Sequence, residues 1–134
     1  MSDQATTSLV QGVDFVSVPT RDLDAARAFY RDVLGLEESA VWQRPGQPAM
    51  GAEFETGTVT IALIVCEMVG IEFSPNKVPI ALRVDDVAQA RAALEARGVT
   101  FLGDIIDSGV CHQALFTDPD GNSLDLHHRY APRT

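Results

Sequence analysis

Cysteine is scarce in this sequence: Cys66 and Cys111 are the only two, far apart and without a Cys-x-x-Cys spacing. That excludes a disulfide framework or a cysteine-built zinc site, and both residues are read as small buried hydrophobes in a reducing compartment. Long apolar runs are missing too, since nothing approaches the roughly 18–20 residues that cross a bilayer. The opening residues, Met1 to Ser8, carry neither the basic nor the apolar region of a secretory signal, so the expected location is cytoplasmic, with no membrane partner. Basic residues are few: ten Lys and Arg face nineteen Asp and Glu, a net charge of −9. Such a surface repels phosphate backbones, so no nucleic acid is expected as a partner. It favours cationic small molecules, although an acidic surface also simply keeps a protein soluble.

What remains is an ordinary globular composition. At 134 residues and 46% apolar content, the chain is long enough for one domain with a real core and too short for two. The informative feature is internal repetition at an offset of 64 residues, Asp22 falling on Asp86, Arg27 on Arg91 and Phe15 on Pro79. Each copy opens with a strand-like stretch, Val13–Val18 or Val78–Val84, in which Val and Ile alternate with other residues. A helix follows each, with Asp22 or Asp86 placed to accept from its first N–H groups and Gly35 or Gly98 placed to end it. Leu23, Ala26, Tyr30, Val33 and Leu34 recur at helical spacing, which buries one face of the first helix. Three strand candidates close each copy: 38–43, 51–55 and 58–66, then 100–107, 110–117 and 122–128.

The expected fold class is therefore α+β, with two tandem β-α-β-β-β repeats forming a curled mixed sheet with a concave pocket. All of it lies in a single domain over 1–134: repeat one about 11–66, a linker about 67–77, and repeat two about 78–130. The segment 118–122, Asp-Pro-Asp-Gly-Asn, is a turn joining the last two strands. If 118–121 forms a four-residue loop, Thr117 faces Asn122, which sets Ala114 against Asp125 and His112 against His127.

The stretch Asp22 to Leu36 (DLDAARAFYRDVLGL), the turn Asp118 to Asn122 and the doubled β-α-β-β-β pattern resemble the vicinal oxygen chelate superfamily. That superfamily includes glyoxalase I, bleomycin-resistance and fosfomycin-resistance proteins and extradiol dioxygenases. The resemblance spans roughly residues 11–130 and implies the fold; one fold hosts many reactions, so it leaves the chemistry open. In metal-dependent members, the first and last strand of each repeat supply His, Glu or Gln ligands to the concave face. The corresponding positions here are Phe15, Ala62, Pro79 and Asp125. Three of these side chains have no lone pair for a divalent cation, so no metal and no other cofactor is expected.

The resemblance then implies a metal-independent small-molecule binding protein, with antibiotic resistance by sequestration as one role and a homodimer as the expected assembly. Strand alternation puts Phe15, Ser17, Thr60, Ala62, Arg83, Asp125 and His127 on the concave face. Trp42, beside the loop 44–48, either stacks on a flat, aromatic or cationic organic ligand or packs in the core; Phe54 with Phe15 either forms an aromatic wall for that ligand or fills space. Arg83 facing inward would need an anionic partner, Asp125 or a ligand carboxylate, and a surface ion pair is the plainer reading. The alternative function is a lyase, isomerase or dioxygenase-type enzyme. It would use Asp125 with His112 and His127 as a relocated metal or acid–base site, these three being the catalytic candidates. In the plainer reading the two histidines are ligand-contacting or solvated, and His128 is structural. Arg27, Arg31, Asp32, Arg91, Glu95 and Arg97 read as solvated helix faces.

Overall fold

A computed structural model describes residues 8–133. The first unit runs β1 (Phe15–Thr20), α1 (Leu23–Ala28), a π-helical turn (Phe29–Val33), then β2 (Glu37–Gln43), β3 (Ala49–Glu55) and β4 (Thr60–Val65). A short 3-10 turn, Cys66–Val69, leads into the connection to the second unit, which holds β5 (Ile80–Arg83), α2 (Val87–Ala96), β6 (Phe101–Asp107), β7 (Cys111–Thr117) and β8 (Ser123–Arg129). Both helices start as the sequence indicates: Asp22 Oδ1 accepts from the Ala25 N–H at 3.1 Å and Asp86 Oδ1 from the Gln89 N–H at 2.9 Å. Gly35 and Gly98 follow the helical segments with φ of 76° and 95°, a region where a Cβ is strained.

The strands form two four-stranded sheets of one topology, β1-β4-β3-β2 and β5-β8-β7-β6. In each, the first and last strands of the unit pair in parallel and the rest are antiparallel. The pairs Ser17–Ala62 and Ala81–Asp125 occupy equivalent registers, so the repeat seen in sequence is also a repeat in space. Each helix covers one face of its own sheet. Val18, Ile61 and Leu63 point to that face in the first unit, Leu82, Leu124 and Leu126 in the second, and the two sets join in one continuous core. Cys66 and Cys111 are free and buried.

The units are clasped by the turn between β7 and β8. Asp118 and Asn122 close it, with the Asp118 N–H donating to the Asn122 carbonyl at 3.0 Å and Asp118 Oδ1 accepting from the N–H groups of Asp120 and Asn122. Asn122 is thus the last turn residue, and the loop is one residue longer than a four-residue turn. Its side chains reach into the first unit: Thr20 donates to Asp120 at 2.6 Å, Tyr30 to Asp118 at 2.7 Å, and Asn122 Nδ2 to the Pro19 carbonyl at 2.8 Å.

This longer loop shifts the β7–β8 register by one from the sequence expectation. Thr117 faces Ser123, Ala114 faces Leu126, and His112 faces His128. Because side chains alternate, one step moves His112 to the opposite side of the sheet from Asp125 and His127.

Candidate functional site

The helix-free face of the first sheet carries an aromatic pair. Phe15, on edge strand β1, and Trp42, on edge strand β2, meet across the sheet with ring centroids 6.5 Å apart at 77°, an edge-to-face contact. Trp42 is held in place, its Nε1 donating to Glu53 Oε2 at 2.6 Å, and its ring lies over Gly51, where a Cβ would be 3.0 Å from Cε3. Ala62 is fully buried on this face, while Phe15 keeps 48% of its surface exposed. Ser17 and Thr60 stand beside them in register, Thr60 donating to Glu55 at 2.7 Å. Phe54 is not part of the wall: it is on the opposite face, fully buried and 5.9 Å from the Tyr30 ring. The alternation that puts Ala62 and Glu53 toward the open face puts Phe54 toward α1.

On the second sheet, Asp125 and His127 lie on the helix-free face with Ala81 and Arg83 as their cross-strand neighbours. Asp125 is 3% exposed, and its Oδ1 is buried without a hydrogen-bond partner. Burial pushes its carboxyl above the usual aspartate range, against the opposing pull of His127 and the Ala114 N–H. Arg83 does not pair with it; the expected ion pair is absent among the described residues, and Arg83 projects two residues beyond the Asp125 register. His112 instead sits at 3.4 Å from Asp107 and stacks on Tyr130, ring centroids 4.8 Å apart. His128 Nδ1 lies 3.1 Å from the Val84 carbonyl, on the helix side, as the structural reading of that residue has it.

This arrangement tests the superfamily's metal directly. The two equivalent last-strand positions are Ala62 and Asp125, and the first strands offer Phe15 and Pro79, so a single carboxylate is the whole donor set. Among the described residues no three His, Cys, Asp or Glu side chains stand close enough to hold a metal ion together. A relocated His112–Asp125–His127 site is also ruled out by the register. The residues present do not fit a bound metal.

A cavity of about 660 Å³ opens between the two units. It is bounded by Val16, Leu34 and Leu36 of the first unit and by β5 with Ala93, Leu94 and Arg97 of α2. Of the ligand-contacting candidates drawn from the sequence, only Arg83 lines it. Arg97 is exposed, as its helix face implies, but sequence reasoning did not foresee that its Nη1 donates to the Val33 carbonyl at 2.6 Å and ties α2 to the first unit. The signal was present, since Ala90, Ala93, Leu94 and Arg97 share one face at helical spacing. What that face looks onto depends on the packing of the two units.

Two β-α-β-β-β units, each with one face of its sheet covered by a helix and the other carrying candidate residues, Phe15, Trp42 and Ala62 in the first and Asp125 and His127 in the second, define the glyoxalase-type class of α+β proteins. The chain belongs to the Glyoxalase/Bleomycin resistance protein/Dioxygenase superfamily, which it matches over residues 12–126. Among solved structures it is similar to TnmS3, an antibiotic binding protein from Streptomyces sp. CB03234, at 26% identity and TM-score 0.76, over 92% of this chain and 99% of that one. A glyoxalase/bleomycin resistance protein from the same organism is 26% identical, with TM-score 0.69, over 87% of this chain and 100% of that one. A lactoylglutathione lyase from Agrobacterium tumefaciens shares the fold at 23% identity and TM-score 0.70, over 90% and 95% of the two chains. Comparison with curated proteins finds no match. No described helix is long and apolar enough to cross a membrane.

Proposed function

We propose that this chain is a metal-independent binding protein for a small organic molecule, antibiotic-like in its chemistry, acting in the cytoplasm as a homodimer. The observation that carries the reading is the Phe15–Trp42 pair, in which Phe15 takes a position where the superfamily's metal-dependent members place a ligand. An open aromatic wall over a buried Ala62 floor recognises a flat apolar or cationic organic body by stacking, and the nearby Glu53 and Glu55 carboxylates are already bonded to Trp42 and Thr60. The similarity to an antibiotic binding protein over nearly the whole chain supports the same class of ligand. Apolar side chains left in solvent on both units, among them Phe15, Val78, Leu102 and Ile106, support a second copy covering part of this surface.

Trp42 is the single tryptophan of the chain, so its fluorescence reports directly on the wall. Titration of aromatic and cationic antibiotics in the presence of a chelator is expected to quench it and to raise Tm. The Trp42→Ala variant is expected to lose the thermal shift. A shift that appears only when a divalent metal is added would overturn the reading.

Asp125 favours a second reading, an enzyme that uses this lone carboxyl as acid or base without metal. Its raised pKa and unpartnered Oδ1 are the features of a catalytic carboxyl. Turnover of any bound compound, abolished in Asp125→Asn while binding persists, would select it.

A further inference from the structure

The cavity between the units differs in character from the aromatic face. Its walls are almost entirely aliphatic, with Thr56 and Thr58 at one side. Both charged residues among its lining are arginines, Arg83 and Arg97, and no Asp or Glu lines it. That is the reverse of the chain's own balance of nineteen acids to ten bases. In a protein carrying −9, a cavity whose only charged lining residues are two arginines is a place that attracts an anion locally.

The two arginines are differently engaged. Arg97 spends one Nη1–H on the Val33 carbonyl, and its other guanidinium N–H groups make no hydrogen bond among the described residues. The Arg83 side chain makes neither a hydrogen bond nor an ion pair among the described residues, whereas Arg27, Arg31 and Arg91 each have a carboxylate partner. A guanidinium presents a planar fork of donors matched to the two oxygens of a carboxylate. Residues Ile80 to Val84 all border the cavity, because β5 pairs with β8 on one edge only and leaves the other edge facing the space. The unpaired backbone groups of that edge add polar partners close to Arg83.

We propose that this cavity is a second ligand site, separate from the Phe15–Trp42 face, for a small carboxylate with an aliphatic body, its anion held by Arg83 and its chain lying against Leu36, Leu82 and Leu94. Its volume falls within the roughly 300–1,000 Å³ of small-molecule sites. The inference stands whether or not the aromatic face binds an antibiotic.

Decanoate, decanol and decylamine share one aliphatic chain and differ in the head group, so calorimetric titration of the wild-type protein with each, below micelle formation, separates the charge from the apolar part. Decanoate is expected to bind one per chain, at least tenfold more tightly than decanol, with decylamine weakest. Arg83→Met keeps an apolar stem and removes the charge; it is expected to weaken decanoate at least tenfold and leave decanol unchanged. Ala93→Trp, at an exposed helix position, is expected to fill the cavity and abolish binding of both. Equal binding of decanoate and decanol to wild type would overturn the proposal, as would decanoate binding that survives Ala93→Trp. Absence of decanoate binding by a wild-type dimer that Ala93→Trp converts to monomer would also overturn it, a second copy being then the occupant.

Discussion

The Tyr30 hydroxyl donates to Asp118 Oδ2 at 2.7 Å across 88 residues of sequence, with both side chains buried, and this bond ties the π-helical turn after α1 to the last hairpin. Asp118 also organises its own turn, accepting from Asp120 and Asn122 through its other oxygen. Tyr30→Phe removes one donor to a buried carboxylate and is expected to cost about 1–3 kcal/mol in urea unfolding. Asp118→Ala removes the turn bonds as well and is expected to cost more. Burial, reinforced by Asp118, pushes the Tyr30 hydroxyl well above its ordinary value. Its folded pKa thus exceeds the unfolded value of about 10, so the native state holds a proton that the unfolded chain releases. Stability from this group is complete below pH ~10 and falls as pH rises beyond it. Tyr30→Phe should show a flatter decline above pH 10.

Asp125 obeys the same sign but titrates at lower pH, so its cost is already present at neutral pH. Its pKa is raised in the folded chain by burial, so the fold favours the protonated acid and its contribution to stability is lost as pH rises above the ordinary aspartate range. Asp125→Asn, which keeps the shape without the charge, is expected to be at least as stable as wild type at pH 7. The difference should shrink as the pH of thermal melts is lowered toward about 4, where the unfolded carboxyl also begins to take up its proton. A clear loss of stability in Asp125→Asn at pH 7 would show that the charge has a partner in solution.

Gly51 is required by close approach. A Cβ there would press into the Leu63 carbonyl oxygen on the neighbouring strand and crowd the Trp42 ring. Gly51→Ala is expected to destabilise the protein by roughly 1–3 kcal/mol, the range for overpacking a filled site. It should also shift the emission of Trp42, since the ring must move off its place over the backbone. Unchanged emission in a destabilised variant would mean that strand β4 gives way instead.

Arg27 and Glu38 form a two-pronged pair at 2.7 and 2.9 Å between α1 and β2. The hydrogen bond from Arg27 holds the Glu38 carboxyl below its usual range, burial opposing it. With the folded pKa lowered, the pair stabilises fully above the unfolded value of about 4.3 and is lost as pH falls through the folded one. Both side chains are partly exposed, so a double-mutant cycle with Arg27→Ala and Glu38→Gln is expected to give up to about 1 kcal/mol at pH 7. The coupling should vanish near pH 2.

Local chemistry made much of the architecture legible. Asp22 and Asp86 cap helices because a carboxylate accepts from free N–H groups three residues on, and Gly35 and Gly98 end helical segments because they tolerate positive φ. Strand alternation sorted Phe15, Ser17 and Ala62 from Val16 and Val18, and the doubled pattern implied two equivalent sheets. Of the two readings the sequence left open for Phe54, packing against Tyr30 on the helix side is the one observed. The hairpin register was beyond such reasoning, because Asp118 and Asn122 take their positions from Tyr30, Pro19 and Asn76, partners remote in the chain. Those bonds hold Asn122 in the turn, and that single step separates His112 from Asp125. The cavity was hidden for the same reason: β5, α2 and the end of the first unit come together only through the docking of one unit on the other, which no local pattern encodes. Periodicity and capping act over a few residues and can be read along the chain, whereas the placement of Arg83, Arg97 and Trp42 relative to a ligand is set by packing between segments far apart in it.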